Sequence, residues 1–534
     1  MKRASLIVWL LSVLSAVLLS LPWLVPGAGF VALFAFLPLL LADALAQECR
    51  MRRFWLCALS CFVIWNTATT FWVCNATVGG GIFAILANSA QMLLVWLIFT
   101  LSKRKLGSGV LPYIFLAAMW VAWERRYFFV DISWPWLTLG NAFARSTRLV
   151  QWYEYTGTIG GSLWIWICNL SIFGLLTSVG SGAWKSWNVK ARACAVAGLA
   201  LAFAAPVAAS LAIYSSYEEK SEGNIDVLVA QPNFDPYQKF ESLSQMEQTE
   251  ILLSQLDPVQ RGPVLMMAPE TFTGSVFLHD INSNPSVRAI QDMLERHPGS
   301  AMLFGASTYD IYSQRSAPSL LARQYGDGWI ESHNSALVTD GERRNEVYHK
   351  SKLVVGTELT PYPKIFVPLD NWLSKLFGVY GLMAREVGQD EVSLLHYNGV
   401  PFGCAVCYES IYGEYCTDYV KKGAKFLAVI TNDAWWGNTP GYRQHCSYSS
   451  LRAIELRRDV ARCGNTGISC FIDQKGDVVS QSEWWQRQTL AGSVNLNSEE
   501  TFFVRNGDIA GRVCTLVFLL VLMLLVARMF KPGR

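Results

Sequence analysis

The chain has 534 residues, 52% of them hydrophobic and 16% charged, and a positive mean hydropathy. That is too apolar for an ordinary soluble protein and too long for one compact domain. A net charge of only +3 argues against a nucleic-acid-binding surface.

A bilayer span needs roughly 17–25 predominantly apolar residues. Such runs occur at 5–25, 28–46, 54–74, 81–101, 107–123, 160–179, 193–214 and 509–530. The fifth is short, and the last carries Arg512 and Arg528 at its ends, where long cationic side chains snorkel to the interface. The first run is read as a retained helix rather than a signal peptide. More spans follow it at once and no small-residue cleavage site is clear. Simple alternation puts Lys2 and Arg3, "ECRMRR", "SKRK", "WKSWNVKAR" and "RMFKPGR" on one side, the positive-inside pattern. Arg125, Arg126, Arg145 and Arg148 are exceptions, in a loop over 124–159 that also holds the interface-suited stretch "SWPWLTLGNAF".

Three parts follow: a seven-helix membrane domain at 1–214, an outer-face domain at 215–508, and a last span with its tail at 509–534. The outer segment alternates short β-like runs with helical patterns. "NIDVLVAQ", "VLMMAPE", "AMLFGAS", "NSALVTD", "PFGCAVCYE", "FLAVITND" and "GISCFID" read as strands, while "PSVRAIQDMLERH" and "SSLRAIELRRDVAR" read as helices. The alternation predicts an α/β domain large enough for its own core. "DQKGD" reads as a hairpin turn.

The six histidines are scattered, and Cys404 and Cys407 lack the second pair that would complete a zinc site, so no metal is expected. Of thirteen cysteines, seven lie in or beside apolar runs and six between Cys404 and Cys470. Their pairing is not legible in the sequence.

Three reactive groups sit near strand ends or turns: Glu270 after "VLMMAP", Lys350 in "VYHKSKLVV" and Cys407 after "GCAV". In open α/β sheets, active groups gather beyond the carboxyl ends of strands. Singly, a strand-end glutamate is usually solvated and a cysteine after an apolar strand is usually packing. Together they form an acyl-transfer set. A carboxylate takes the thiol proton, an ammonium favours the thiolate, and the same ammonium holds the oxygen of an attacked carbonyl.

"APET", "YHKSKL", "VCYES" and "ITNDAWWG", in this order, resemble the nitrilase superfamily with its Glu–Lys–Cys triad. A nitrilase-like domain between the seventh and eighth spans resembles one member family, the apolipoprotein N-acyltransferases of bacterial envelopes. The resemblance implies about eight transmembrane helices plus an αββα sandwich. It makes Glu270 the general base, Lys350 the oxyanion stabiliser and Cys407 the nucleophile. Glu358 matches a second family glutamate, and Tyr408 and Glu409 follow the nucleophile as the family pattern expects. Asn432, Asp433, Trp435 and Gly437 fall beside the site. Two departures stand out: Val355 to Thr357 replace the usual Pro-Phe-Gly, and Phe240 stands where a tryptophan is usual.

The implied reaction moves an acyl chain from a phospholipid, through a Cys407 thioester, to the amino-terminal amine of a diacylglyceryl apolipoprotein. The implied enzyme is a multi-pass monomer of the bacterial inner membrane, with its catalytic domain on the periplasmic face and no cofactor. Two rivals remain at this stage: a tethered amidase that hydrolyses its thioester, and a transporter or scaffold with an inactive outer domain. The latter draws on Asp43, an ionisable residue within an apolar run. Finally, "LDNWLSKLFGVYGLM" carries Leu369, Trp372, Leu373, Leu376, Phe377, Tyr380 and Met383 at helical spacing. It reads either as a lid touching lipid or as a core-packed amphipathic helix, the latter slightly favoured.

Overall fold

A computed structural model describes residues 2–107, 109–236, 243–257, 262–378 and 383–530. Each apolar run forms a helix: α1 (Lys2–Leu24), α2 (Ala28–Glu48), α3 (Phe54–Thr70), α4 (Val78–Leu106), α5 (Leu111–Tyr127), α6 (Tyr153–Gly180) and α7 (Val189–Ser216). Six helices among the described residues, counting Ile509–Phe530, are long and apolar enough to cross a membrane. The other two, α3 and α5, have 17 residues each.

The second span is not one straight helix. It opens as a 3-10 turn and breaks at Phe36, where the Asn169 side chain of α6 accepts from Phe36 N–H at 2.8 Å and donates to Ala32 O at 2.9 Å. A backbone break inside apolar surroundings is tolerated only when its polar groups find partners. Phe36 packs against Trp65, Trp96, Trp120 and Trp166, an aromatic core for the bundle. Asp43 is buried and ion-paired with Lys103 of α4, which is a structural role.

The α/β part contains β1 (Asn224–Gln231), α8 (Gln245–Leu256), β2 (Leu265–Met267), β3 (Thr273–Phe277), α9 (Pro285–Glu295), β4 (Ala301–Tyr312), β5 (Arg323–Tyr325), β6 (Gly328–Asp340) and β7 (Asn345–His349). It continues with α10 (Pro363–Phe377), β8 (Leu395–Tyr397), β9 (Val400–Val406), α11 (Gly413–Lys421), β10 (Leu427–Thr431), α12 (Pro440–Leu456), β11 (Val460–Gly464), β12 (Cys470–Ile472), β13 (Val478–Gln481), β14 (Gln488–Asn495) and the final apolar helix α13 (Ile509–Phe530). One sheet runs β14-β1-β2-β4-β6-β5, with β3 on β4 and β7 on β6; the other runs β13-β12-β11-β10-β9-β8.

Alternation along β1 shows how the layers form. Val227 and Val229 face the second sheet, packing with Val406 and Ile430, while Leu228 and Ala230 face Leu252 and Ile290 of the covering helices. Strands buried on both faces read as continuous apolar runs. On its other side the second sheet carries Tyr419 of α11 and Leu456 of α12. The order is helix, sheet, sheet, helix, as the resemblance implies.

One predicted helix ends early. "SSLRAIELRRDVAR" is helical only to Leu456, because Arg457 turns left-handed at φ 48°. Val460–Gly464 then pairs in parallel with β10. A helix pattern read from sequence misses a stop set by one residue's backbone.

Helix α12 is the seam between the two parts. Gln444 accepts from Trp136 Nε1 at 2.7 Å and donates to Thr69 O at 3.2 Å; Trp23 Nε1 donates to Tyr448 OH at 3.0 Å. Glu455 accepts from Thr158 N–H at 2.8 Å and pairs with the fully buried Arg452 at 2.7 Å.

Candidate active site

Each of the three reactive residues follows a strand. Glu270 lies three residues past β2, where Gly305 of β4 lets the backbone approach: Gly305 N–H donates to Pro269 O at 3.1 Å, and a Cβ at 305 would stand 2.5 Å from Glu270 Cα. Lys350 directly follows β7, and its N–H donates to Asn334 O of β6 at 2.8 Å. Cys407 directly follows β9 with φ 51°. That left-handed conformation is uncommon for a residue with a Cβ and marks a strained turn.

The side chains converge. Lys350 Nζ donates to Glu270 Oε1 at 2.9 Å and Glu358 Oε1 at 2.8 Å, with no exposed side-chain surface. Asn334 Nδ2 donates to the same two oxygens at 2.8 Å each. Asn432 N–H donates to Glu270 Oε2 at 3.1 Å, and Val354 N–H to Glu358 Oε2 at 2.7 Å. Burial alone would lower the Lys350 ammonium, but Glu270 and then Glu358 outweigh it and lift its pKa well above the usual lysine range. For Cys407 the balance goes the other way. Burial, then the Glu270 carboxylate, push the thiol well up, against a smaller pull from Lys350 and the Thr431 hydroxyl. The cation is therefore permanent, and the sulfur rests as a thiol that needs a base.

A second layer fixes the turn. Glu409 accepts from Val406 N–H at 2.8 Å, Ser351 N–H at 2.7 Å, Lys352 N–H at 3.1 Å and Tyr348 OH at 2.6 Å, clasping the lysine loop to the cysteine turn. Cys407 O accepts from Ser410 Oγ at 2.7 Å and lies 3.0 Å from His445 Nε2. His445 Nδ1 lies 2.8 Å from Asp433 Oδ1, and Arg462 Nη2 donates to Asp433 Oδ2 at 2.8 Å. Burial would raise Asp433, but His445 and Arg462 hold it down at about 2. Ligand atoms of Cys407, Asp433 and His445 fall within 4.8 Å of one another. The Asp433 carboxylate and the His445 nitrogens are already engaged by protein partners.

Tyr408 meets the connection between α5 and α6: its OH donates to Ser133 O at 2.9 Å and its ring stacks on Trp134 at 5.9 Å. Trp435 sits in the short 3-10 turn Asp433–Trp436, and its neighbour Trp436 meets Trp72 and Trp136 at 4.5 and 5.7 Å. Phe240 lies outside the described residues. Asn334, His445 and Arg462 carry no motif of their own in the sequence; only their packing against Glu270 and Asp433 reveals them. The cysteines are all free among the described residues, and the sulfurs of Cys446 and Cys470 lie 3.7 Å apart.

The core-packed expectation for 369–383 fails. Helix α10 buries only Val367 and Asp370, while Ile365, Trp372, Leu376 and Phe377 are 58–66% exposed. Its start is pinned to the membrane domain by Tyr362 N–H donating to Asp131 Oδ2 at 2.8 Å. Tyr380 lies outside the described residues.

Residues 222–502, just over half of the chain, match the carbon-nitrogen hydrolase family, and residues 15–171 match the apolipoprotein N-acyltransferase N-terminal domain. The chain belongs to the carbon-nitrogen hydrolase family, as a membrane-embedded member of its apolipoprotein N-acyltransferase branch. A protein of that description from Chlorobaculum tepidum is 29% identical over 494 residues, covering 90% of this chain and 89% of its own. Another from Geobacter metallireducens is 26% identical over 523 residues, covering 95% and 93%. Among solved structures, a CN-hydrolase superfamily protein from Xanthomonas campestris aligns over 56% of this chain and 97% of its own, at 15% identity and a TM-score of 0.35. The chain is accordingly an enzyme of the acyltransferase class.

Proposed function

We propose that this enzyme acylates the amino terminus of apolipoproteins with a chain taken from a phospholipid, by a ping-pong reaction through a Cys407 thioester. The observation that carries the reading is Lys350 Nζ at 2.9 Å from Glu270 Oε1, with the Cys407 thiol buried beside them on a left-handed turn. Glu270 takes the thiol proton as sulfur attacks the ester carbonyl. Lys350 holds the oxyanion, and Glu358 and Asn334 hold Lys350 and Glu270 in register. The ester C–O bond breaks, Glu270 returns its proton to the departing alkoxide, and a lysophospholipid leaves. The acceptor amine then attacks the thioester and frees Cys407.

The same reading assigns residues 1–214 and 509–534 to the bilayer and 215–508 to the periplasmic face of a bacterial inner membrane, with the enzyme acting as a monomer. Tyr408, Glu409, Asn432 and Trp435 support the site. The exposed apolar side of α10 lies on lipid beside the site.

Mass spectrometry of the protein after incubation with phospholipid tests this. An acyl adduct on Cys407, absent from Cys407→Ala, is the expected result. An adduct that persists in Cys407→Ala sinks the thioester. Addition of a lipopeptide acceptor separates transfer, which gives N-acyl peptide, from hydrolysis, which gives free fatty acid.

A further inference from the structure

The buried cluster holds more negative charge than its lysine can balance. Glu270 and Glu358 share the single ammonium of Lys350. A third carboxyl, Glu386, comes from the segment that follows α10. Its N–H donates to Glu358 O at 3.0 Å, and the next N–H, of Val387, donates to Ser332 O at 2.8 Å, which fixes its backbone against the cluster. The Oε2 atom of Glu386 is enclosed and has no hydrogen-bond partner, and Glu386 forms no ion pair among the described residues.

The charged groups that face it are Glu358, Lys350, Glu270 and Arg323. Arg323 stands exposed on the edge strand β5 and makes no pair with it. The neighbouring Arg385 is committed elsewhere, to Asp370 at 2.8 Å and Asn371 at 2.6 Å. His333 Nδ1 lies 2.6 Å from Val387 O. Glu386 is half-buried, and its enclosed Oε2 without a partner is costly as a carboxylate oxygen, so the position favours a cation that arrives with a ligand.

We propose that Glu386 receives the acceptor substrate: it pairs with the incoming ammonium and takes its first proton before the amine attacks the thioester. This rests on the acyl-transfer reading above. Glu270 is reserved for the proton that returns to sulfur, which leaves the first amine proton to a separate carboxyl. Burial and then Glu358 push Glu386 up to about 8, so near that pH its carboxylate form is present to meet a cation. An α-amine titrates at about 7.7–8.0, and matched values favour proton transfer.

The step balances. R–NH3+ and the Glu386 carboxylate give R–NH2 and the Glu386 acid. The nitrogen lone pair forms the C–N bond, the C–S bond breaks, and sulfur leaves with its electron pair. The second amine proton passes through Glu270 to the sulfur, restoring the thiol, and Glu386 releases its proton to solvent.

The experiment compares two half-reactions in the full-length enzyme: loading of Cys407 by labelled phospholipid alone, and aminolysis of preloaded enzyme by a diacylglyceryl lipopeptide from pH 6 to 9. In Glu386→Gln, aminolysis near pH 8, where the carboxylate and the charged amine coexist, should fall at least about tenfold more than loading. The gap should narrow toward pH 9, where the acceptor is already a free amine. Glu386→Asp should recover part of the aminolysis rate, and it carries the same comparison if the glutamine variant does not fold. Equal loss in both half-reactions, or a gap unchanged by pH, would overturn the proposal and leave Glu386 as scaffolding for Glu358. Normal loading in that case leaves the acyl-transfer reading intact, whereas no adduct on the unaltered enzyme overturns both.

Discussion

At the scale of single residues, charge accounting decides the chemistry. Lys350→Met removes the cation shared by the buried Glu270 and the half-buried Glu358. Acyl loading should fall by at least about 10²–10³, the usual loss when an oxyanion donor is removed. The variant should also be less stable, because an unpaired buried charge costs several kcal/mol; labelled-phospholipid loading and thermal unfolding check the two effects. Asp433 gives a pH signature. Its folded pKa of about 2 lies below the ordinary 3.8. The unfolded chain therefore binds the proton first, and the group contributes about 2 kcal/mol that is present above pH ~4 and lost as pH falls toward 2. Unfolding of detergent-solubilised protein from pH 6 down to 2.5 should show this loss, and Asp433→Asn should lack it. Glu270, Lys350 and Cys407 were legible because each is a reactive residue beside a strand end or turn. Asn334 and Arg462 were not, since a polar residue inside a strand reads as packing until its partner is seen. Glu386 was silent for the same reason: only three-dimensional neighbours turn an ordinary glutamate into an orphaned carboxyl.

At the scale of elements, short segments act as clamps between longer ones. The Glu409 carboxylate collects N–H groups from the Lys350 loop and the Cys407 turn. Glu409→Gln puts an amide N–H against one of those donors and lets the two loops drift. A displacement of about 1 Å is enough to cost about 10²-fold in rate. Loading should fall by that order while Cys407 still reacts with a small alkylating reagent, which mass spectrometry of both adducts reads directly. Gly305→Ala acts on the same register from the other side: the new Cβ meets the Glu270 backbone, and overpacking of this kind costs about 1–3 kcal/mol. The long apolar runs and buried strands were legible because periodicity and length are local properties. The break at Phe36 and the turn at Arg457 were not. The first depends on Asn169, 133 residues away, and the second on one backbone angle.

At the scale of the whole molecule, α12 docks the α/β part on the apolar helices, and α10 leaves an apolar side uncovered. Trp372→Glu with Phe377→Glu should lower kcat/KM on vesicle phospholipid, and much less on a short-chain ester that dissolves in water. Equal effects on both substrates would remove lipid contact as the role of that side. The apolar helices were readable from hydropathy, six of them among the described residues long enough to cross a membrane. The seam was not, because Gln444, Tyr448 and Glu455 look like ordinary polar residues on a helix. That seam makes the anchor and the catalyst one mechanical object. A chimera grafting the α/β portion onto a foreign anchor would leave Gln444 and Glu455 searching for Trp136 and Thr158, so the two halves are expected to drift through evolution only in step.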